Sequence, residues 1–151
     1  MHDDDAQLLQ VSVGLGLLAD RMSAGEERRG CPSRDTTLSV TLILSILGNR
    51  IAELDEPDDE TKRIALEHLS VVETMMGADD GDPCQALSHA FRGLVSWPHS
   101  ERLWLDVGKL TIALGWAELA MNVLSFVSKN YPWNEDARQL FTRLHACFMG
   151  D

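Results

Sequence analysis

The chain is predicted to be all-α, an array of antiparallel helix hairpins with about seven helices. Apolar side chains recur with helical spacing in segment after segment. No run of alternating apolar and polar residues reads as a strand. A set of punctuating residues also repeats: Gly81, Ala86, Trp97, Pro98 and Glu101 each stand 34 positions before Gly115, Ala120, Tyr131, Pro132 and Glu135. A fixed period in this range marks a stacked helical-repeat protein, because each hairpin buries its apolar side only against the next.

The elements follow in order. Over 4–23 a helix is expected, with Ala6, Leu9, Val13, Leu17, Leu18 and Met22 as its apolar stripe. Gly14 and Gly16 weaken it, each by about 1 kcal/mol relative to alanine. The segment SAGEERRGCPSRD, near 23–35, is polar and glycine-rich and reads as a flexible loop. A second helix, 36–54, takes Asp35 or Thr36 as its cap. Its apolar residues (Leu38, Val40, Leu42, Ile43, Leu44, Ile46, Leu47, Ile51) surround most of its circumference, so it lies between neighbours or offers a partner surface. After the break at Pro57, a third helix spans about 60–76, with Ile64, Leu66, Leu69, Val72, Met75 and Met76 near one face and Gly77 at its end. A fourth starts near Pro83 and runs to Trp97-Pro98. The remaining helices are placed at 100–114, 116–130 and 134–148. Leu140, Phe141, Leu144 and Phe148 form the apolar side of the last.

Length and charge bound the function. A chain of 151 residues suits one domain. Lys and Arg number 13 against 24 Asp and Glu, a net charge of −11. Nucleic acid and anionic membrane are therefore poor partners, and a basic partner, or one basic at its rim, is favoured. Cys31, Cys84 and Cys147 are odd in number and widely spaced, which supports neither a disulfide framework nor a zinc knuckle. The start MHDDD is acidic where a secretory signal is basic. The most apolar run, Leu38 to Leu47, is about half the length of a membrane span. A soluble, cytoplasmic protein without membrane insertion is expected.

Chemistry is sparse. His2, His68, His89, His99 and His145 form no metal-binding pair, and His89 reads as a satisfied, half-buried histidine. The acidic clusters at 55–60 and 79–82 are interrupted by Pro57 and Pro83 and read as helix caps rather than calcium loops. Phosphate-binding glycine motifs are absent. Cys84 opens a helix, a position that lowers a thiol pKa, but it has no partner base and a structural role is expected. No enzymatic activity, metal or cofactor is expected.

The stretch 101–134 carries a family resemblance. Trp104, Val107, Gly108, Gly115, Ala120, Leu124, Val127 and Pro132 stand at aromatic, apolar, small, turn, small, bulky, small and proline positions. This spacing resembles a tetratricopeptide repeat. The copy at 67–100 is degenerate: it keeps Ala86, Ala90 and Pro98 but has Met75 at a small position. Residues 135–148 would be a capping helix, and 1–66 two helices outside the motif, paired as a further hairpin. The resemblance implies a right-handed superhelix whose first helices line a concave groove. Carried onto this chain, the groove positions are Arg102, Leu105, Lys109, Ile112 and Ala113, then Asp136, Gln139, Arg143 and Ala146. Such a groove would seat an apolar helix face, with Arg102, Lys109 and Arg143 pairing to carboxylates. Trp97, Trp116 and Trp133 at hairpin ends would pack between repeats, with anchors of a partner interface as the alternative.

The small, acidic, helical profile is also similar to chaperones of bacterial type III secretion systems, which hold export substrates such as needle or translocator subunits. A non-catalytic module binding a protein or peptide, such as an amphipathic helix of a secreted subunit or a co-chaperone, is the implied function. A scaffold or regulatory adaptor within a larger assembly is the alternative. Homo- or hetero-dimerisation is left open.

Overall fold

The computed structural model describes residues 3–27 and 29–149; His2 and Arg28, from the sequence argument, lie outside them. Seven α-helices and no strand are present among the described residues. They are α1 (Asp3–Ser23), α2 (Arg34–Arg50), α3 (Asp59–Gly77), α4 (Pro83–Ser96), α5 (Glu101–Ala113), α6 (Ala117–Asn130) and α7 (Glu135–Phe148). A 3-10 turn, Ile51–Glu53, follows α2, so the second helix stops short of 54.

Local chemistry explains most boundaries. Asp58 accepts from the Thr61 amide at 2.8 Å and Asp82 from the Cys84 amide at 2.9 Å, so both acidic clusters cap helices as expected. Ser100 and Asn134 cap α5 and α7 in the same way. The cap of α2 is Ser33, two or three residues before the expected position. Gly115 turns the chain between α5 and α6 at φ +78°, a conformation that costs a side-chain-bearing residue but not glycine.

The hairpins α3–α4 and α5–α6 stack through α4 against α5 and α3 against α5, and α7 packs on α6. Trp104, Leu124 and Val127 are fully buried in this stack. The Trp104 ring meets Phe126 edge-on at 5.6 Å, and its Nε1 donates to the Pro98 carbonyl at 2.8 Å. Thr111, buried on α5, satisfies its hydroxyl by donating to the Val107 and Gly108 carbonyls. Gly108 permits the helix crossing, since a Cβ there would come within 2.8 Å of Leu124 Cδ2.

α1 and α2 pack on each other, and in addition α1 lies along α4 and α2 along α6, covering the second helices of both repeats. Ser88 Oγ donates to the Ala19 carbonyl at 2.8 Å across the contact of α1 with α4. The buried stripe of α1 is Val11, Leu15, Leu18, Ala19 and Met22. Leu9 (65% exposed), Val13 (54%) and Leu17 (64%), assigned to the core by periodicity, face outward. On α2, Leu38 (55%) and Leu42 (51%) do the same.

The segment between α1 and α2 is anchored rather than free. The Gly30 amide donates to the Leu114 carbonyl at 2.6 Å, and Arg29 Nη1 to the Ala113 carbonyl at 2.9 Å. The Glu27 carboxylate accepts from the Ser33 amide and hydroxyl, both at 2.8 Å, and from the Thr36 hydroxyl. These bonds dock the loop on the α5–α6 turn.

Candidate functional site

A groove of about 1030 Å³ runs along α3 and α5, reaching the corner where α6 passes into α7. Its apolar lining comes from Leu66 and Leu69 of α3, Leu105 of α5 and Ile51 and Leu54 beyond α2. Trp97, Tyr131 and Trp133 add aromatic rings. Each aromatic sits where a hairpin ends, so the 34-residue period that sets the turns also gathers the rings.

Trp133 is 69% exposed, and its ring stands edge-on to Tyr131 at 5.7 Å. Its Nε1 donates to Glu101 Oε1 at 3.0 Å, while Asn134 Nδ2 donates to Glu101 Oε2 at 2.8 Å. Tyr131 donates its hydroxyl to the His99 carbonyl, and burial raises its pKa, helped by the nearby Glu101 carboxylate. At the other wall the Lys62 ammonium lies 5.1 Å from the Trp97 ring centre and 2.9 Å from Glu56 Oε2. Trp97 Nε1 and both His99 nitrogens are buried without a hydrogen bond among the described residues, although His99 Nε2 lies 3.4 Å from Glu56 Oε1.

A charged cluster joins α3 to α5 beside this groove. Arg102 Nε donates to Glu73 Oε2 at 2.6 Å. Asp106 is 1% exposed. Burial, together with its hydrogen bond to Glu73, pushes its pKa up to about 7, against the opposing pull of Lys109 and Arg102.

Of the positions carried over from the repeat motif, Arg102, Leu105, Lys109 and Asp136 line the groove. Leu105 is buried and forms its floor. Ile112 is half-buried and packs against the core. Ala113 lines a separate small cavity with Met75 and Met76. Gln139 and Arg143 line another depression of about 450 Å³ on α7, with Glu135, Arg138 and Thr142, and Ala146 is exposed. Trp116 is buried as packing requires, whereas Trp97 and Trp133 belong to the groove. Sequence reasoning missed Ile51, Leu54 and Glu56, which come from outside the repeats and share no register with them.

His68 and His89 bring their Nδ1 atoms to 3.5 Å between α3 and α4, in keeping with a satisfied histidine; burial lowers the His68 pKa, with His89 and Arg92 adding to it. Burial raises the Cys84 thiol, with Asp82 acting in the same direction, opposite to the lowering that its helix-start position suggests. Among the described residues, no three His, Cys, Asp or Glu side chains gather as a metal site, and no helix is long and apolar enough to cross a membrane. No protein-family model, curated protein or solved structure matches the chain.

Proposed function

We propose that this chain is a non-catalytic protein-binding module whose groove holds an amphipathic helix of another protein. The observation that carries this reading is the groove itself. It combines apolar floor residues with three aromatic rings at a scale that accepts side chains of a helix face, and the rings are held by the hairpin ends. The resemblance to tetratricopeptide repeats and to type III secretion chaperones supports a more specific form: a cytoplasmic chaperone covering the apolar face of an export substrate before secretion. A preformed groove does this without chemistry, since burying the face is enough to prevent its aggregation.

Co-expression with proteins encoded beside it tests the reading. A small helical subunit that is insoluble alone is expected to become soluble and co-purify. Leu66→Asp, at an exposed position of the groove, together with Trp133→Ala should abolish its recovery while the circular dichroism of the chain is retained. Recovery that ignores both substitutions would remove the groove from the function.

One observation favours the alternative, a stable component of a larger assembly. The stretches 6–19 on α1 and 36–49 on α2 contain no charged residue, although Asp, Glu, Lys and Arg make up 25% of the chain. Five large apolar side chains stand exposed on them. Permanent interfaces are depleted of charge and rich in apolar area. Under this reading, Leu17→Glu with Leu42→Glu releases the chain from a large complex and leaves capture at the groove intact.

A further inference from the structure

We infer that the helix seated in the groove carries lysine or arginine beside its apolar face; this rests on the groove reading above and specifies the chemistry of its occupant. The charges around the groove decide the sign. Arg102, which the sequence alone offers as a grip for a partner's carboxylate, already donates to Glu73 at 2.6 Å. Lys109 lines the groove as well and makes no ion pair among the described residues, so it is the one α5 cation there without a carboxylate partner. The rim's acids are differently held. The Glu101 carboxylate is oriented by two neutral donors, Trp133 Nε1 and Asn134 Nδ2, so its charge is fixed in place and not neutralised. Asp136 lies in the first turn of α7, exposed and without an ion pair among the described residues, though its charge is felt by Arg102.

Glu101 and Asp136 thus present negative charge next to Trp133 and Tyr131 at one end of an apolar floor. A cationic side chain there gains two carboxylates and an exposed indole face, the combination that binds an ammonium or guanidinium group. An acidic side chain in the same place meets repulsion from both carboxylates, and a net charge of −11 on the chain adds to it at long range. The rim sets the preference, and the apolar floor sets the register.

Two synthetic amphipathic helices of equal length test this. They share identical leucines along one face, flanked by lysine in one and by glutamate in the other. Each carries a terminal dye and is titrated with the full chain by anisotropy. At low salt the lysine helix is expected to bind at least about tenfold tighter, a ratio that two or three rim ion pairs supply. The ratio should shrink as salt rises, because exposed pairs are screened. Asp136→Asn, which breaks no hydrogen bond or ion pair among the described residues, should weaken the lysine helix several-fold, and Glu101→Gln should do so further. Glu118→Gln, at an exposed position at the start of α6 and outside the groove lining, should leave binding unchanged.

Equal affinity for both helices, or preference for the glutamate helix, overturns the inference while leaving the groove reading in place, provided Leu66→Asp, at an exposed groove position, abolishes binding. Lysine-helix binding that Glu118→Gln weakens as much as Asp136→Asn reports general attraction to an acidic protein and also overturns it. Failure of both helices to bind at any salt overturns the groove reading itself.

Discussion

Gly108 sits where α5 crosses α6, and the space there excludes any larger side chain. A Cβ would lie 2.8 Å from Leu124 Cδ2 and 3.1 Å from its Cγ, so the fully buried Leu124 side chain would have to shift. Gly108→Val is expected to destabilise the fold by about 1–3 kcal/mol in urea titrations, the range for overpacking a filled core. Combining it with Leu124→Ala should cost less than the sum of the two, since the second substitution makes room for the first; strict additivity would show that the crossing is not the source of the cost. Asp106 sets a pH dependence at the same scale. Its proton stays bound in the fold to about pH 7, whereas the unfolded chain releases it near 3.8. This contribution to stability is therefore full below 3.8 and is lost as pH rises through about 7. Glu73 from α3, and Arg102 and Lys109 from α5, are the charged groups acting on it. Asp106→Asn keeps the shape and removes the titration. The variant should match the parent near pH 4 and exceed it in melting temperature near pH 8. A difference that does not vary with pH would mean that Asp106 does not titrate in this range.

Helix ends were legible in the sequence because their signals are local. Asp58, Asp82, Gly115 and Pro132 act on their own turn of backbone, and each marks the boundary expected of it. The faces of helices were less legible. On α1, apolar residues lie all round the axis, so spacing alone favoured Leu9, Val13 and Leu17 over Val11 and Leu15; the contact with α4 selects the second set. The groove was half legible for a related reason. Arg102, Leu105 and Lys109 follow from repeat register, while Ile51, Leu54 and Glu56 arrive by long-range packing that leaves no local mark. Asn134 joins the two kinds of information. It caps α7 by accepting from the Ala137 amide at 2.9 Å, and it binds Glu101 of the preceding repeat at 2.8 Å. Asn134→Ala should cost about 1 kcal/mol as a lost cap. It should also speed amide exchange through α7 more than Ser100→Ala speeds it through α5, because α7 has a neighbour on one side only. Equal effects of the two substitutions would assign Asn134 a capping role alone.

At the scale of the molecule, the first two helices change how the repeats are coupled. A bare array of stacked hairpins is held by nearest-neighbour contacts and can lose its units one at a time. Here α1 backs α4, α2 backs α6, and α1 and α2 pack on each other, so one layer spans both repeats. The loop between them adds a second tie, through Gly30 and Arg29 to the end of α5. Unfolding one hairpin therefore exposes apolar surface on the layer that also covers the other. The expected result is a single denaturant transition, with helix content and the fluorescence of the buried Trp104 and Trp116 lost together. Leu47→Ala tests the coupling from the layer's side. Leu47 is fully buried on α2, and its truncation should cost about 2–5 kcal/mol. If the layer couples the repeats, both signals shift by the same amount toward lower denaturant. If the repeats stand on their own, the tryptophan transition keeps its midpoint while part of the helical signal is lost early. The shared shift is the outcome that the packing of α1 and α2 requires, because no path through the fold separates the repeats without first lifting that layer.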